Sequence, residues 1–231
     1  MRPCAFLLLA ALLTPQPATE VEITAEPHHH LAFENAFLRV FKVDIPPHTD
    51  TLMHWHRHDY IFVQLGTSEV VNAVQGRAPV TVKLQDGETR FVPGPFAHIA
   101  RNISDQPFRN LTIEILEDAK LRESTAHWPE DRGLEILHGG TMQILFVKDG
   151  IRVTEFELQP GGVVPMHHHT GPHLLAAVSD LDLGEKYLNG VHRVGVGHLE
   201  SGDVTWLAAN HSHTLTNVGP HAAKFVTLEF P

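Results

Sequence analysis

A histidine pattern that occurs twice, about half the chain apart, constrains this 231-residue sequence more than any other feature. The first copy is His54-Trp55-His56, followed by Asp59 and, much later, His98. The second is His167-His168-His169, followed by His173 and His213. Two histidines one residue apart on a β-strand project both imidazoles from the same face. A carboxylate or third histidine just beyond, and another from a distant strand, complete a donor set for a divalent metal. A lone histidine is more often a surface or core side chain than a ligand. Two sets at matching spacing reverse that weighting.

Self-comparison extends the pattern to the whole chain. Residues 33–40 align with 146–153 at an offset of 113, and His54 and His56 align with His167 and His169 at the same offset. Gly87, His98 and Asn102 align with Gly202, His213 and Asn217 at an offset of 115. The two extra residues fall between these blocks, where a hairpin loop tolerates insertion. The chain therefore reads as a tandem duplication. Each copy reads as short strands, over 37–45, 60–65, 80–84, 89–92 and 111–116, then 151–158, 173–178, 204–207 and 223–230. Turn residues separate them at Gln85-Asp86-Gly87, Pro93-Gly94-Pro95, Gln159-Pro160-Gly161-Gly162 and Asn189-Gly190. A short helix is expected over 117–123, and the charged Pro- and Gly-containing stretch 127–133 marks the boundary between copies. The expected organisation is a signal segment over 1–18, an N-terminal domain over 19–130 and a C-terminal domain over 131–231. Both domains are expected to be all-β, of jelly-roll type.

Composition narrows the function classes. A formal charge of −10 gives no electrostatic reason to expect nucleic acid or an anionic membrane as partner. Nineteen histidines are the anomaly, and they point to metal. Arg2, the apolar run from Ala5 to Leu13 and the following Thr14-Pro15-Gln16-Pro17-Ala18 read as a secretory signal. That run is too short to span a bilayer. The expected location is periplasmic or secreted, with no membrane partner once the signal is removed. Cys4 is the single cysteine. Its removal with the signal would exclude disulfides, thiol nucleophiles and cysteine-ligated zinc. No Ser/His/Asp arrangement and no Gly-rich phosphate cradle is present.

The spacings resemble the cupin superfamily, whose first motif is Gly-x5-His-x-His-x3-4-Glu-x6-Gly and whose second is Gly-x5-Pro-x-Gly-x2-His-x3-Asn. In the second copy Gly161 leads, then His167 and His169, with His173 where the family has Glu. Its second motif runs Gly202, Ala208 for Pro, Asn210 for Gly, His213 and Asn217. In the first copy His48 replaces the leading Gly, followed by His54, His56, Asp59 for Glu, and Gly66. The second motif there is Gly87, Pro93, Pro95 for Gly, His98 and Asn102. The resemblance covers nearly all of the chain after the signal and identifies it as a bicupin: two tandem double-stranded β-helix barrels.

The resemblance implies a metal inside each barrel, held by His54, His56, Asp59 and His98 in the first and by His167, His169, His173 and His213 in the second. Asp59 would serve as ligand or as a base near the metal, or it is simply a turn residue. A three-histidine, one-carboxylate set suits Mn, Fe or Ni, whereas an all-imidazole set suits Zn, Cu, Fe or Ni. Binding should weaken below roughly pH 6, near the ordinary histidine pKa. His58, His168 and His211 occupy spacer positions expected to face outward, and His28-His29-His30 reads as a solvated lead-in. Ile61, Val63, Leu65, Leu175 and Ala177 are expected to line apolar barrel interiors suited to a small organic substrate. Among bicupins, resemblance to quercetinases implies metal-dependent dioxygenase chemistry. Oxalate decarboxylase-like or isomerase chemistry and non-catalytic metal or ligand binding are the alternatives, and self-association is left open.

Overall fold

The computed structural model describes residues 20–116, 133–188 and 197–231. The signal-like segment, the short helix expected over 117–123, the 127–132 part of the boundary and the Asn189-Gly190 turn lie outside them. Among the described residues the regular structure is β-strand and one 3-10 turn over Ile23–Ala25. The N-terminal half carries β1 (Val21–Glu22), β2 (His29–Glu34), β3 (Leu38–Ile45), β4 (His54–His56), β5 (Tyr60–Leu65), β6 (Ser68–Val74), β7 (Val80–Leu84), β8 (Thr89–Val92), β9 (Phe96–Asn102) and β10 (Phe108–Ile115). The C-terminal half carries β11 (Leu134–Lys148), β12 (Ile151–His169), β13 (His173–Ala177), β14 (Leu181–Tyr187), β15 (Gly197–Leu199), β16 (Val204–Leu207), β17 (His211–Asn217) and β18 (Ala223–Glu229).

Two five-stranded sheets face each other in the first half, in the orders β1-β4-β9-β6-β7 and β2-β3-β10-β5-β8. The second half repeats these pairings except for the parallel pair β1–β4. β5 lies between β10 and β8 as β13 lies between β18 and β16, and β6 lies between β9 and β7 as β14 lies between β17 and β15. A second difference of layout has a local cause. Pro46 and Pro47, which cannot donate to a ladder, separate β3 from β4. In the second half the turn expected at 159–162 instead bends a continuous strand. Residues 152–158 of β12 pair with β18, and 163–169 pair with β17. Gly161, at φ +77°, supplies the left-handed backbone that the bend requires. One chain segment thus crosses from one sheet to the other, which closes the jelly roll.

Alternation along the strands decides what faces where. On β5, Ile61, Val63 and Leu65 turn away from their own barrel and join Leu111, Ile113, Leu174, Val226, Leu228 and Phe230 in one apolar cluster shared by both halves. The cupin resemblance predicts Ile61, Val63 and Leu65 inside the barrel. The structure reverses that face, and Tyr60 and Phe62 line the interior instead. A one-residue difference in register moves every side chain of a strand to its other face. On β13, Leu175 and Ala177 do face the barrel interior, with Phe156, Leu181 and Phe225. At the rim of the shared cluster two hydrogen bonds sit at equivalent positions. Arg109 donates to the Ser201 carbonyl at 3.1 Å, and Lys224 donates to the Asp86 carbonyl at 3.3 Å.

Candidate metal centres

In the first half, β4 and β9 pair antiparallel with His54 opposite His98. That register and the period-two alternation bring three imidazoles together in the barrel interior. The Nε2 atoms of His54, His56 and His98 are 3.1–3.2 Å apart in all three pairs. His54 and His56 are almost fully buried, and His98 is 9% exposed. The tautomers follow from the outer ring nitrogens. His54 Nδ1 donates to the Leu52 carbonyl at 2.9 Å and His98 Nδ1 to Asn72 Oδ1 at 2.7 Å. The Nε2 lone pairs of these two rings are thereby directed at one point.

The second half builds the same triangle. His167 lies opposite His213 on β12 and β17. His213 Nε2 is 3.1 Å from His167 Nε2 and 3.2 Å from His169 Nε2. The outer nitrogens bond to the Pro165 carbonyl from His167 at 2.8 Å, to Glu229 from His169 at 3.1 Å, and to Glu185 from His213. Around this triangle the ring of His173 stacks on that of His169 at a centroid distance of 3.9 Å. His211 also stacks there, 5.1 Å from His169, although its place in the sequence suggested an outward spacer. Ring nitrogens of His169, His173, His211 and His213 lie within 4.8 Å of one another.

Both triangles pass a direct test for metal. Two nitrogens sharing one ion at about 2.1 Å lie about 3.0 Å apart at a right angle and about 3.4 Å apart at the tetrahedral angle. The observed 3.1–3.2 Å falls between. Convergent lone pairs at that spacing repel one another unless a cation lies between them. Burial also favours the neutral form of His54, His56, His98, His167 and His173, which metal binding needs. Desolvation pushes His54 and His167 down to about 4 and His173 to about 2. It also holds His56 and His98 well below the ordinary range. The histidine groups are fit to hold a divalent transition metal.

Asp59 does not join the first triangle. It precedes β5 on the side of Ile61, and its Oδ1 accepts the Gly94 N–H at 2.9 Å. The interior position belongs to Tyr60, which lies 113 residues before His173 and stacks on His56 at 4.6 Å as His173 stacks on His169. His29 on β2 was unexpected at this place. It is buried, with its ring centroid 4.6 Å from that of His54. The polar run around it, His28 to His30, carries no sequence signal that one of its rings is covered.

The two centres differ in what stands behind the ligands. Arg39 pairs with Glu114 at 2.7 Å in the first half, as Arg152 pairs with Glu229 in the second. Glu229 also accepts the His169 Nδ1 proton, whereas Glu114 Oε1 and His56 Nδ1 are both buried without a hydrogen-bond partner. The pKa directions record this contrast. Burial raises the Glu114 carboxyl, an effect that Arg39 only partly offsets. Burial would also raise Glu229, but the His169 hydrogen bond and Arg152 outweigh it and leave the carboxyl lowered. Asn72 behind His98 corresponds to Glu185 behind His213 at an offset of 113. One carboxylate behind His169 and another behind His213 make the second centre the more electron-rich.

Access differs as well. A cavity of about 310 Å³ opens onto His167, His169, His173 and His213, with walls that include Leu137, Met142, Phe156, Leu175 and Phe225. Beside the first triangle the cavities are about 130 Å³ and about 40 Å³.

Jelly-roll barrels with inward-facing histidines on paired strands define the fold as that of the cupins. No protein-family model and no curated protein matches the sequence. Among solved structures, AerE from Microcystis aeruginosa superposes with a TM-score of 0.62 at 14% identity, covering 90% of this chain and 95% of that one. Oxalate decarboxylase of Bacillus subtilis, studied for its Mn(II) centres, superposes with a TM-score of 0.59 at 12% identity, covering 87% of this chain and 75% of that one. At these identities the likeness is one of fold.

Proposed function

We propose that the chain is a bicupin whose C-terminal half carries out metal-dependent oxidoreductase chemistry of dioxygenase type on a small organic substrate, in the periplasm or after secretion. One observation carries this reading. The His167, His169 and His213 triangle faces a cavity of about 310 Å³, within the usual range for a small-molecule site. A bound metal there would supply Lewis acidity and a template for substrate. His167, His169 and His213 would hold it, and His173 or His211 would complete the set. Glu229 and Glu185 fix the ring orientations, and the apolar walls exclude water from the reacting group. Mn, Fe, Ni, Cu and Zn all accept such imidazole donors, so the ligand types leave the metal open.

The test is oxygen uptake by the metal-loaded chain with catechols and flavonols, beside release of carbon dioxide from oxalate. Oxygen consumption that disappears in the His167→Ala/His213→Ala variant supports the reading. Oxalate turnover without net oxygen uptake replaces it with the decarboxylase alternative. Oxygen consumption that survives loss of both histidines overturns the C-terminal assignment.

A further inference from the structure

We propose that the N-terminal half holds a closed, four-imidazole metal centre in which His29, and not Asp59, is the fourth donor beside His54, His56 and His98. This deepens the preceding reading by giving the other half a non-catalytic ion. It begins with a buried carboxylate. Glu26 is 2% exposed, and a buried Glu needs partners for its charge. Its Oε2 accepts the His29 Nδ1 proton at 2.6 Å and the His28 N–H at 2.8 Å, and its Oε1 accepts the Leu52 N–H at 3.2 Å. Leu52 in turn holds His54 Nδ1 through its carbonyl at 2.9 Å. One carboxylate therefore orients two imidazoles carried by β2 and β4, which belong to different sheets.

With Nδ1 committed to Glu26, Nε2 of His29 is the nitrogen left for a ligand. Ring nitrogens of His29, His54 and His56 lie within 4.8 Å of one another. A carboxylate behind a histidine raises its basicity toward a metal and fixes its orientation. Aromatic rings crowd one side of the site. Tyr60 and Phe96 both stack on His56, at 4.6 Å and 5.2 Å. The 40 Å³ cavity lined by His29, His56, Tyr60 and His98 is close to the volume of one water, about 30 Å³. The 130 Å³ cavity on the far side of His98 is below the usual range for an organic ligand, about 300 Å³ and upward. An ion held here ties β2 to β4 and β9 and has no room for a substrate.

The experiment uses the full chain with His167→Ala/His169→Ala/His213→Ala, which leaves the second half only His173 and His211 of its clustered donors, so that tight zinc binding reports the N-terminal half. This background should bind one zinc. Glu26→Gln should weaken binding about 10–100-fold, His29→Gln should weaken it further, and Asp59→Asn should leave it unchanged. His29→Cys on a Cys4→Ser chain, loaded with cobalt(II), should add a near-ultraviolet thiolate-to-cobalt band, which guards against a His29→Gln variant that merely misfolds. A folded His29→Cys chain without that band, zinc affinity untouched by His29→Gln, or zinc lost in Asp59→Asn overturns the assignment. Each outcome is read with the C-terminal His167, His169 and His213 triangle removed, so it stands apart from the fate of the oxygenase reading.

Discussion

Glu229 stands behind His169, and Glu114 holds the equivalent place in the first half; the two carboxyls have opposite pKa directions because only Glu229 receives an imidazole proton. That difference yields a paired prediction. Glu229→Gln should weaken metal binding at the C-terminal centre about 10–100-fold, and Glu114→Gln should weaken the N-terminal centre by less. Competition titration against a chromophoric chelator measures both. The histidines themselves set a pH dependence. The folded pKa values of His54 and His167 lie below the ordinary 6.5, at about 4, and burial lowers His56 and His98 as well. Between those values the unfolded chain binds more protons than the folded one, so folding loses stability as pH falls. The chelator-treated protein should therefore melt at steadily lower temperature from pH 6.5 down to 4, with His173 extending the loss toward its value of about 2. A flat melting profile across that window would mean that the rings are not buried neutral. The same depressed values bear on metal retention: protons compete for these nitrogens at lower pH than the ordinary histidine pKa suggests.

At the scale of elements, the loop from β12 to β13 decides whether His173 reaches His169. Gly171 in that loop packs against the backbone of Phe230, where a side-chain methyl would overlap the Phe230 carbonyl. Phe230 N–H also donates to the Pro172 carbonyl at 3.0 Å, so the loop cannot retreat without losing a hydrogen bond. Gly171→Ala should cost about 1–3 kcal/mol and loosen the stacking of His173, checked by thermal melts and by the spectrum of a cobalt-loaded protein. This geometry also shows what the sequence could and could not reveal. Strands β5, β7, β8 and β16 begin and end where turn residues and β-branched runs said they would. The triangles were legible because His-x-His on a strand has only one geometry. The fourth positions were not. Asp59, chosen for its carboxylate, sits one residue short of the motif spacing after His56, and the pleat of β5 turns Tyr60 inward with Phe62 instead. His29 belongs to a pairing between β2 and β3, and nothing in a single sequence announces which polar run will be covered by a sheet.

Across the whole molecule the two halves are joined through their cores. Leu38, Val40, Ile61, Val63, Leu111 and Ile113 from the first half and Val153, Leu174, Ala176, Val226, Leu228 and Phe230 from the second form one cluster. Those residues are at most 1% exposed, and a half standing alone would present its share of them to water. Folding of one half is thus coupled to the other by apolar burial as well as by the paired rim contacts of Arg109 and Lys224. Phe230 tests this coupling because it packs across the junction, with its ring 5.4 Å from Phe37 and 5.5 Å from Trp206. Phe230→Ala leaves a cavity at the junction and should cost about 3–5 kcal/mol. For a chain of this size each kcal/mol lowers Tm by about 2–4 °C. If the shared cluster unites the halves, calorimetry should show a single transition shifted as a whole. Zinc added to the His167→Ala/His169→Ala/His213→Ala chain should then raise that same transition, because an ion bound only by the native state stabilises whatever unfolds with its site. Two resolved transitions, of which only one responds to Phe230→Ala or to zinc, would show that each barrel carries its own stability and that the junction merely seals them together.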